Sequence, residues 1–470
     1  MKRSVLLLVA VATVLATSAW SQEVIGSPVG VSEPIVRGVP HVTARPGTLV
    51  IPQSSVQQTP PAGHKFVAHT NVRFLMPDGF TPEEAPPYAG YGYETPASLA
   101  CVYGLVSPGT GIAPNCSPNL TTVNPSGGSN TIAIVDAYDD PEAPADLAYF
   151  SDQFGIPFSV SQFQVVWANS PASSCGYGGE VPLDYTGGWE LEESLDIEWA
   201  HAMAPQAKLY LVEACSNYDT DLQQAVLVAN NLVQCGKTEI TSSGVGKCPT
   251  GSTGKGEVSM SWGGGEFSSE TGATSCAELD DSCFTAANVV YFAASGDSPG
   301  TIWPSTSPNV VSAGGLTTRR NPLTFNFIGH SPWTEAGGGQ SFYEKIPSYQ
   351  SSISSIVGGY RGIPDLSFDA NPDTGLWVYD TFPMDEYFYS WWIVGGTSAS
   401  APALAGIINR AGHFAASTNA ELTTIYANKA VTADFGDITS GYCGPYMGFS
   451  AVTGWDYCTG VGRVVGYAGK

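Results

Sequence analysis

Eight small residues, Gly395-Gly396-Thr397-Ser398-Ala399-Ser400-Ala401-Pro402, run directly into the apolar segment Ala403–Ile408. Small side chains let the backbone turn tightly into a helix. The turn leaves the Ser398 hydroxyl at a helix N-terminus, among N–H groups that favour negative charge. A nucleophilic serine needs this setting, because its attack on a carbonyl creates an oxyanion. Ordinary N-capping would also put a hydroxyl there, but it does not need the whole string. The serine then requires a base, usually His. Of the six His, three (His41, His64 and His69) precede residue 95, and His330 and His413 have no evident polar companions. His201, in Trp199-Ala200-His201-Ala202, lies nearer other polar candidates but reads as a partly buried structural residue.

Carboxylates offer a second kind of base. In Glu190-Leu191-Glu192-Glu193-Ser194-Leu195-Asp196-Ile197-Glu198, Glu192 and Asp196 stand four apart, which stacks them on one helix face. Two like charges so placed repel, and sharing a proton relieves them by pushing one pKa up. Such a pair can act as base and orienting partner for Ser398 in acid. A solvated acidic face is the competing reading, but Ala200, Ala202 and Ala204 beside Leu195 and Ile197 point to a packed helix. A third carboxyl, Asp297 in Ser295-Gly296-Asp297-Ser298, follows the apolar run Val289–Ala294. Ionised, it would repel an oxyanion; protonated, it can donate to one. An ordinary turn aspartate is the bland alternative.

The elements that position these residues alternate. Asn130–Ala137, Phe163–Ala168, Lys208–Glu213, Val258–Trp262, Val289–Ala294 and Asn309–Ala313 read as strands. Pro144–Phe154, Glu190–Met203, Leu222–Val233 and Cys283–Asn288 read as helices. The β-α-β-α order predicts a parallel sheet with helices on both faces, and functional residues at strand C-termini and helix N-termini. Composition narrows the class further. The 470 residues carry 42 acidic and 18 basic side chains, a net charge of −24, which argues against nucleic acid as a partner. Charged residues make up only 13%, so stability rests little on ion pairs that acid would remove. Acid tolerance is the expectation.

Lys2 and Arg3 precede the apolar run Val5–Ala16, the pattern of a secretory signal over residues 1–21. No later stretch is apolar enough to span a bilayer, so the mature chain is expected to be secreted and not membrane-bound. Export gives the ten cysteines a meaning as disulfides. Sequence neighbours suggest Cys101–Cys116, Cys175–Cys215, Cys235–Cys248, Cys276–Cys283 and Cys443–Cys458, although ten cysteines allow many pairings. Asn115 and Asn119 lie in glycosylation sequons.

Ser398 in GGTSASAP, Glu192 with Asp196 in ExxxD, and Asp297 in SGDS together resemble the sedolisins, the serine-carboxyl peptidases. The resemblance runs from about Thr95, where Thr95-Pro96-Ala97-Ser98-Leu99 looks like the start of the family's catalytic domain, to Gly466. It implies a subtilisin-like α/β fold and hydrolysis of peptides or proteins in acid, with endopeptidase action as the expectation. It also implies that Ser398 is the nucleophile, Glu192 its general base, Asp196 the residue that orients the base, and Asp297 the oxyanion donor. Asp437-Ile438-Thr439-Ser440-Gly441 and Val452-Thr453-Gly454-Trp455-Asp456 resemble the family's calcium site. One structural Ca²⁺ is thus expected on Asp437, Asp456 and the carbonyls of Ile438, Val452 and Gly454, an all-oxygen set that suits this ion.

Residues 22–94, rich in Pro, Gly, Val and Thr, are expected to be a short leader, prosegment or linker before a peptidase domain at 95–470. Asp136 ends the first strand, so a subtilisin-like triad of Asp136, His201 and Ser398 is the main rival. Alternatively, Asp136 extends the Glu192–Asp196 network. The backbone of Ser261-Trp262-Gly263-Gly264 is expected to line the substrate cleft. A non-catalytic secreted binding protein on the same scaffold is the remaining alternative, and a monomer is the expected state.

Overall fold

The computed structural model describes residues 47–77, 86, 91–107, 109–272, 276–384 and 390–470. The expected signal over 1–21 lies outside them, as does much of the region 22–94. Every structural statement below concerns the described residues.

A ten-stranded, mostly parallel sheet organises them. Its parallel core runs, in spatial order, Leu366–Asp369, Val311–Arg320, Val289–Ala294, Gly256–Met260, Thr131–Ala137, Lys208–Ala214 and Phe163–Trp167. Successive side chains on a strand point to opposite faces, and the sequence exploits this. Ile132 and Ile134 pack on one face with Leu191, Leu195 and Trp199 of the helix Gly188–Met203 and with Leu404 and Ile407 of the helix Ser400–Ala411. Ala133 and Val135 pack on the other with Leu222, Val226 and Ala229 of the helix Asp219–Cys235. Burying each such Leu or Ile contributes about 1.5–3 kcal/mol. The fold is therefore α/β with helices on both faces.

Most strands and helices fall where the sequence pattern predicts them. Two do not. The expected helix Cys283–Asn288 is a short 3₁₀ turn, Asp281–Phe284, capped by the Asp280 carboxylate and held by the Cys276–Cys283 disulfide. The expected strand Asn309–Ala313 runs instead from Val311 to Arg320, because it pairs beyond the parallel core with Phe327–Pro332. All five suggested disulfides are formed.

The described part of the region 22–94 is built into the domain. Arg73–Pro77 pairs on one side with Gly47–Val50 and on the other with Trp391–Gly395, the strand that delivers Ser398. His69–Thr70 pairs with Trp262–Gly263. The helix Pro96–Val102 then opens on a capping box in which Thr95 and Ser98 bond each other's backbone.

Candidate active site

Three neighbouring parallel strands end at one edge of the sheet. Thr131–Ala137 places Asp136 there, the residue after Gly256–Met260 is Ser261, and Asp297 follows Val289–Ala294 after a two-residue turn. The helices Gly188–Met203 and Ser400–Ala411 share the covered face above those ends. They approach closely. A Cβ on Gly406 would lie 2.8 Å from the Ala200 carbonyl oxygen, so only glycine permits this crossing. The approach brings Glu192 and Asp196 to Ser398.

Ser398 is completely buried. Its hydroxyl donates to the Ser261 carbonyl at 3.0 Å and accepts from the Asn71 N–H at 3.1 Å, and its own N–H donates to the Asn71 carbonyl at 3.1 Å. It sits in the 3₁₀ turn Thr397–Ala399 that leads into the helix. Gly396, just before, has φ +110°, and a Cβ there would meet the Asn71 carbonyl oxygen at 2.0 Å.

The carboxylates around this serine are protonated far above their usual range. Burial pushes Glu192 well up, the nearby charges of Asp136 and Asp297 push it further, and the Ser398 hydroxyl and Asn71 N–H pull it back. Burial likewise raises Asp196, helped by Asp136 and Glu192, while the Ser261 hydroxyl, donating at 2.8 Å, lowers it. Asp136 is pushed up to about 8 by burial. Although the Ser398 hydroxyl is close enough to Glu192 to affect its titration, it bonds Ser261, and neither Glu192 oxygen has a hydrogen-bond partner. Proton transfer to Glu192 therefore requires the hydroxyl to turn away from Ser261.

Asp297 bonds Thr397, the residue before the same serine. Its Oδ1 accepts from the Thr397 N–H at 2.7 Å and the Thr397 hydroxyl at 2.9 Å, whereas Oδ2 has no hydrogen-bond partner. Burial pushes it up to about 7 against the pull of Arg73 and the Thr397 donors. Arg73 Nε stands 3.8 Å from Oδ2, and a Cβ built on Gly396 would meet both Oδ2, at 2.6 Å, and the Asn71 carbonyl oxygen that accepts from the Ser398 N–H, at 2.0 Å.

The structure thus brings Glu192, Asp196, Asp136, Asp297 and Ser398 together. His201 is elsewhere. It packs edge-on against Phe158, bonds the Pro157 backbone, and burial lowers it to about 4. The rival triad does not assemble. The sequence singles out Ser261 for its backbone alone. Its hydroxyl also links Asp196 to the backbone carbonyl of Ser398, at 3.2 Å. Asn71 and Arg73 carry no signal in the sequence, because no motif ties them to residues more than 180 positions away.

The calcium residues expected from the sequence surround one turn. Asp437 Oδ2 accepts from the Gly454 N–H at 2.8 Å, and Asp456 Oδ2 from the Val452 N–H at 2.9 Å. Ile438 packs with Leu316 and Ala451, and the Cys443–Cys458 disulfide closes the loop. No group of three or more His, Cys, Asp or Glu residues is placed to hold a metal, so a cation here would depend on two carboxylates and backbone carbonyls. That all-oxygen donor set fits a hard cation, with Asp437 exposed at the rim and Asp456 buried beneath.

The mostly parallel sheet with helices on both faces is a subtilisin-like α/β fold, as in the sedolisin structure it matches. Within that class the chain resembles Pseudomonas sedolisin, a serine-carboxyl proteinase solved with two molecules of pseudo-iodotyrostatin. The TM-score is 0.55 at 25% identity, covering 71% of this chain and 89% of that one. By sequence, it is 26% identical over 359 residues to sedolisin of Pseudomonas sp. (strain 101), covering 72% of this chain and 57% of the relative. It is 30% identical over 343 residues to kumamolisin of Bacillus sp. (strain MN-32), covering 67% and 55%. No protein-family model matches. The chain belongs to the sedolisin family, and it spans a little over half the length of these curated relatives.

Proposed function

We propose that the protein is a serine-carboxyl peptidase that hydrolyses peptide bonds in acid. The observation that carries this reading is the enclosure of Ser398 by buried carboxyls, while His201 is engaged by Phe158 and the Pro157 backbone. Glu192 takes the Ser398 proton as Oγ attacks the peptide carbonyl. Of the three clustered acids on that side, Glu192 is the one whose anion is stabilised by the Ser398 hydroxyl and the Asn71 N–H. Asp196, anchored by the Ser261 hydroxyl, orients Glu192 and holds a shared proton with it. Asp136 keeps the cluster's negative charge low by remaining protonated.

Protonated Asp297 and the Ser398 N–H stabilise the tetrahedral oxyanion. Glu192 then returns the proton to the leaving amine, and water hydrolyses the acyl-enzyme by the reverse path. Both the shared proton and the neutral Asp297 call for acid. Secretion agrees with five disulfides, and no helix is long and apolar enough to cross a membrane. One Ca²⁺ held by Asp437, Asp456 and the carbonyls of Ile438, Val452 and Gly454 would cross-link the C-terminal loop and supply no chemistry to the reaction.

A pH–activity profile on a denatured protein substrate tests the reading. Wild type should be active below about pH 6 and decline toward neutrality, as Asp297, at about 7, ionises. Ser398→Ala should be inactive throughout. A rate that climbs toward neutral pH would exclude the carboxyl mechanism.

A further inference from the structure

Strand register carries a row of side chains from the catalytic acids to the edge of the sheet. Asp136 pairs with Glu213, and Glu213 with Trp167, on neighbouring parallel strands. Register partners share a face, here the one that packs Ile134 and Val165 against the helix Gly188–Met203. At about 4.8 Å per strand, Trp167 stands about 10 Å from Asp136. There a hollow of about 510 Å³ opens, lined by Asp139, Asp140, Pro141, Pro144, Val165 and Trp167. Crevices at the carboxyl ends of parallel strands are where α/β sheets bind ligands, and this volume suits a small organic group.

Its walls are apolar and its floor is acidic. The Trp167 indole N–H donates to Asp139 Oδ1 at 2.8 Å, which fixes the ring. Asp140 is 1% exposed; its Oδ1 accepts from the Glu142 N–H at 3.0 Å, and its Oδ2 accepts no hydrogen bond. Burial pushes Asp140 up to about 8 against the pull of the Glu142 and Ala143 N–H groups. The titratable groups that face it are acids: Asp139 beside it, Asp146 of the helix Ala143–Phe154, Glu213, and Asp380 after the strand Leu376–Tyr379. The helix Gly188–Met203 adds Glu190, Glu193 and Glu198, and neither oxygen of the wholly buried Glu193 is hydrogen-bonded. Among the described residues, none of these carboxyls is ion-paired with Lys, Arg or His. Acids gathered without a counter-charge beside an open hollow suit a cation from outside. No three of them are placed to hold a metal ion, and the walls are Trp, Val and Pro. A guanidinium fits better, being planar, weakly hydrated, able to stack on an aromatic ring and to donate to two carboxylates at once.

We propose that this hollow is a binding site for the arginine side chain of a peptide, stacked on Trp167 and paired with Asp139 and Asp140. It is a site apart from Ser398, and it does not rest on the peptidase reading. The bound cation favours the ionised form of Asp140, so binding expels a proton wherever that carboxyl was neutral. Affinity therefore rises from pH 4 toward pH 8, and a basic peptide captured near neutrality is released in acid. Lysine, with a strongly hydrated point charge and no flat face for the ring, binds less well.

The full chain carrying Ser398→Ala, which cuts nothing, is titrated calorimetrically with N-acetyl-arginine amide. Binding should be one-to-one, with a Kd below about 1 mM at pH 7.5 and at least tenfold weaker at pH 4. The lysine analogue should bind at least threefold more weakly, and the citrulline analogue, which has the same shape without the charge, not at all. Heats taken at pH 7.5 in two buffers of different ionisation enthalpy should show proton release on binding, a readout that needs no further variant. Asp140→Asn, which resembles the protonated acid and so keeps the fold, should weaken binding at pH 7.5 at least tenfold and flatten its pH dependence. Trp167→Leu should weaken it at least fivefold. No binding at pH 7.5, equal binding of the citrulline analogue, or unchanged affinity in Asp140→Asn and Trp167→Leu would overturn the proposal. None of these results touches the peptidase reading, which the pH–activity profile tests separately.

Discussion

At the residue scale, catalysis in this site depends on where few protons reside among several buried acids. Asp136 at about 8 and Asp297 at about 7 are neutral in acid, and Glu192 and Asp196 are raised too far by burial and mutual repulsion to ionise together. Any charge the cluster carries is favoured at Glu192, where the Ser398 hydroxyl and the Asn71 N–H lower the cost of the anion. Glu192→Gln should therefore reduce kcat/KM at pH 4 by at least about 10³-fold, since the base is lost along with its charge. Removing the oxyanion donor in Asp297→Ala should cost about 10²–10³-fold. His201→Ala, which loses the contacts to Phe158 and the Pro157 backbone, should keep its activity within about threefold. Steady-state kinetics on protein whose circular dichroism matches wild type checks all three, and an inactive, folded His201→Ala would restore the triad.

At the element scale, two helices and three strand ends do the positioning. Glu192 and Asp196 were legible as a pair because helical spacing alone puts them on one face. Their approach to Ser398 was not, because it depends on Gly406 letting the helix Ser400–Ala411 settle against Ala200. Small residues in a helix say that something comes close, without saying what. The C-terminal loop is a second positioning element. Asp437 and Asp456 each accept a backbone N–H of the turn Val452–Gly454, so a cation held by both would tie the turn down. Chelation by EDTA should therefore lower the melting temperature by several degrees, with added Ca²⁺ but not Mg²⁺ restoring it. Identical melting curves with and without chelator would count against the site. The missing helix at Cys283–Asn288 teaches the reverse lesson, since a disulfide and an Asp280 cap closed a turn where apolar spacing suggested a longer element.

At the scale of the whole molecule, the same burial that tunes the site sets the stability. Beyond the site, Asp140 is pushed up to about 8, Glu190 to about 10, and Glu193, Glu198 and Glu257 well above their usual range, in each case chiefly by burial. Groups whose folded pKa is raised bind more protons in the folded than in the unfolded chain. Their stabilisation is full below the unfolded value of about 4 and is lost as pH rises through the folded values. For Asp136 and Asp140 the window runs from 3.8 to about 8. The melting temperature should fall by about 10 °C or more between pH 4 and pH 8. A melting temperature that rises over that range would contradict these assignments. Sparse charge in the composition had suggested tolerance of acid; the buried carboxyls go further and make acid the stabilising condition.

The sequence alone determined the alternation of strands and helices, the serine at a helix start, the carboxyl pair one turn apart, and the acid after an apolar strand. These are local patterns, written in periods of two and of three to four residues. Only the tertiary structure decided that Ser261 joins Asp196 to Ser398, that His201 stands apart, and that Asn71 lies across the nucleophile. Each of those contacts joins residues far apart in the chain, and which distant partners meet depends on how sheet and helices pack.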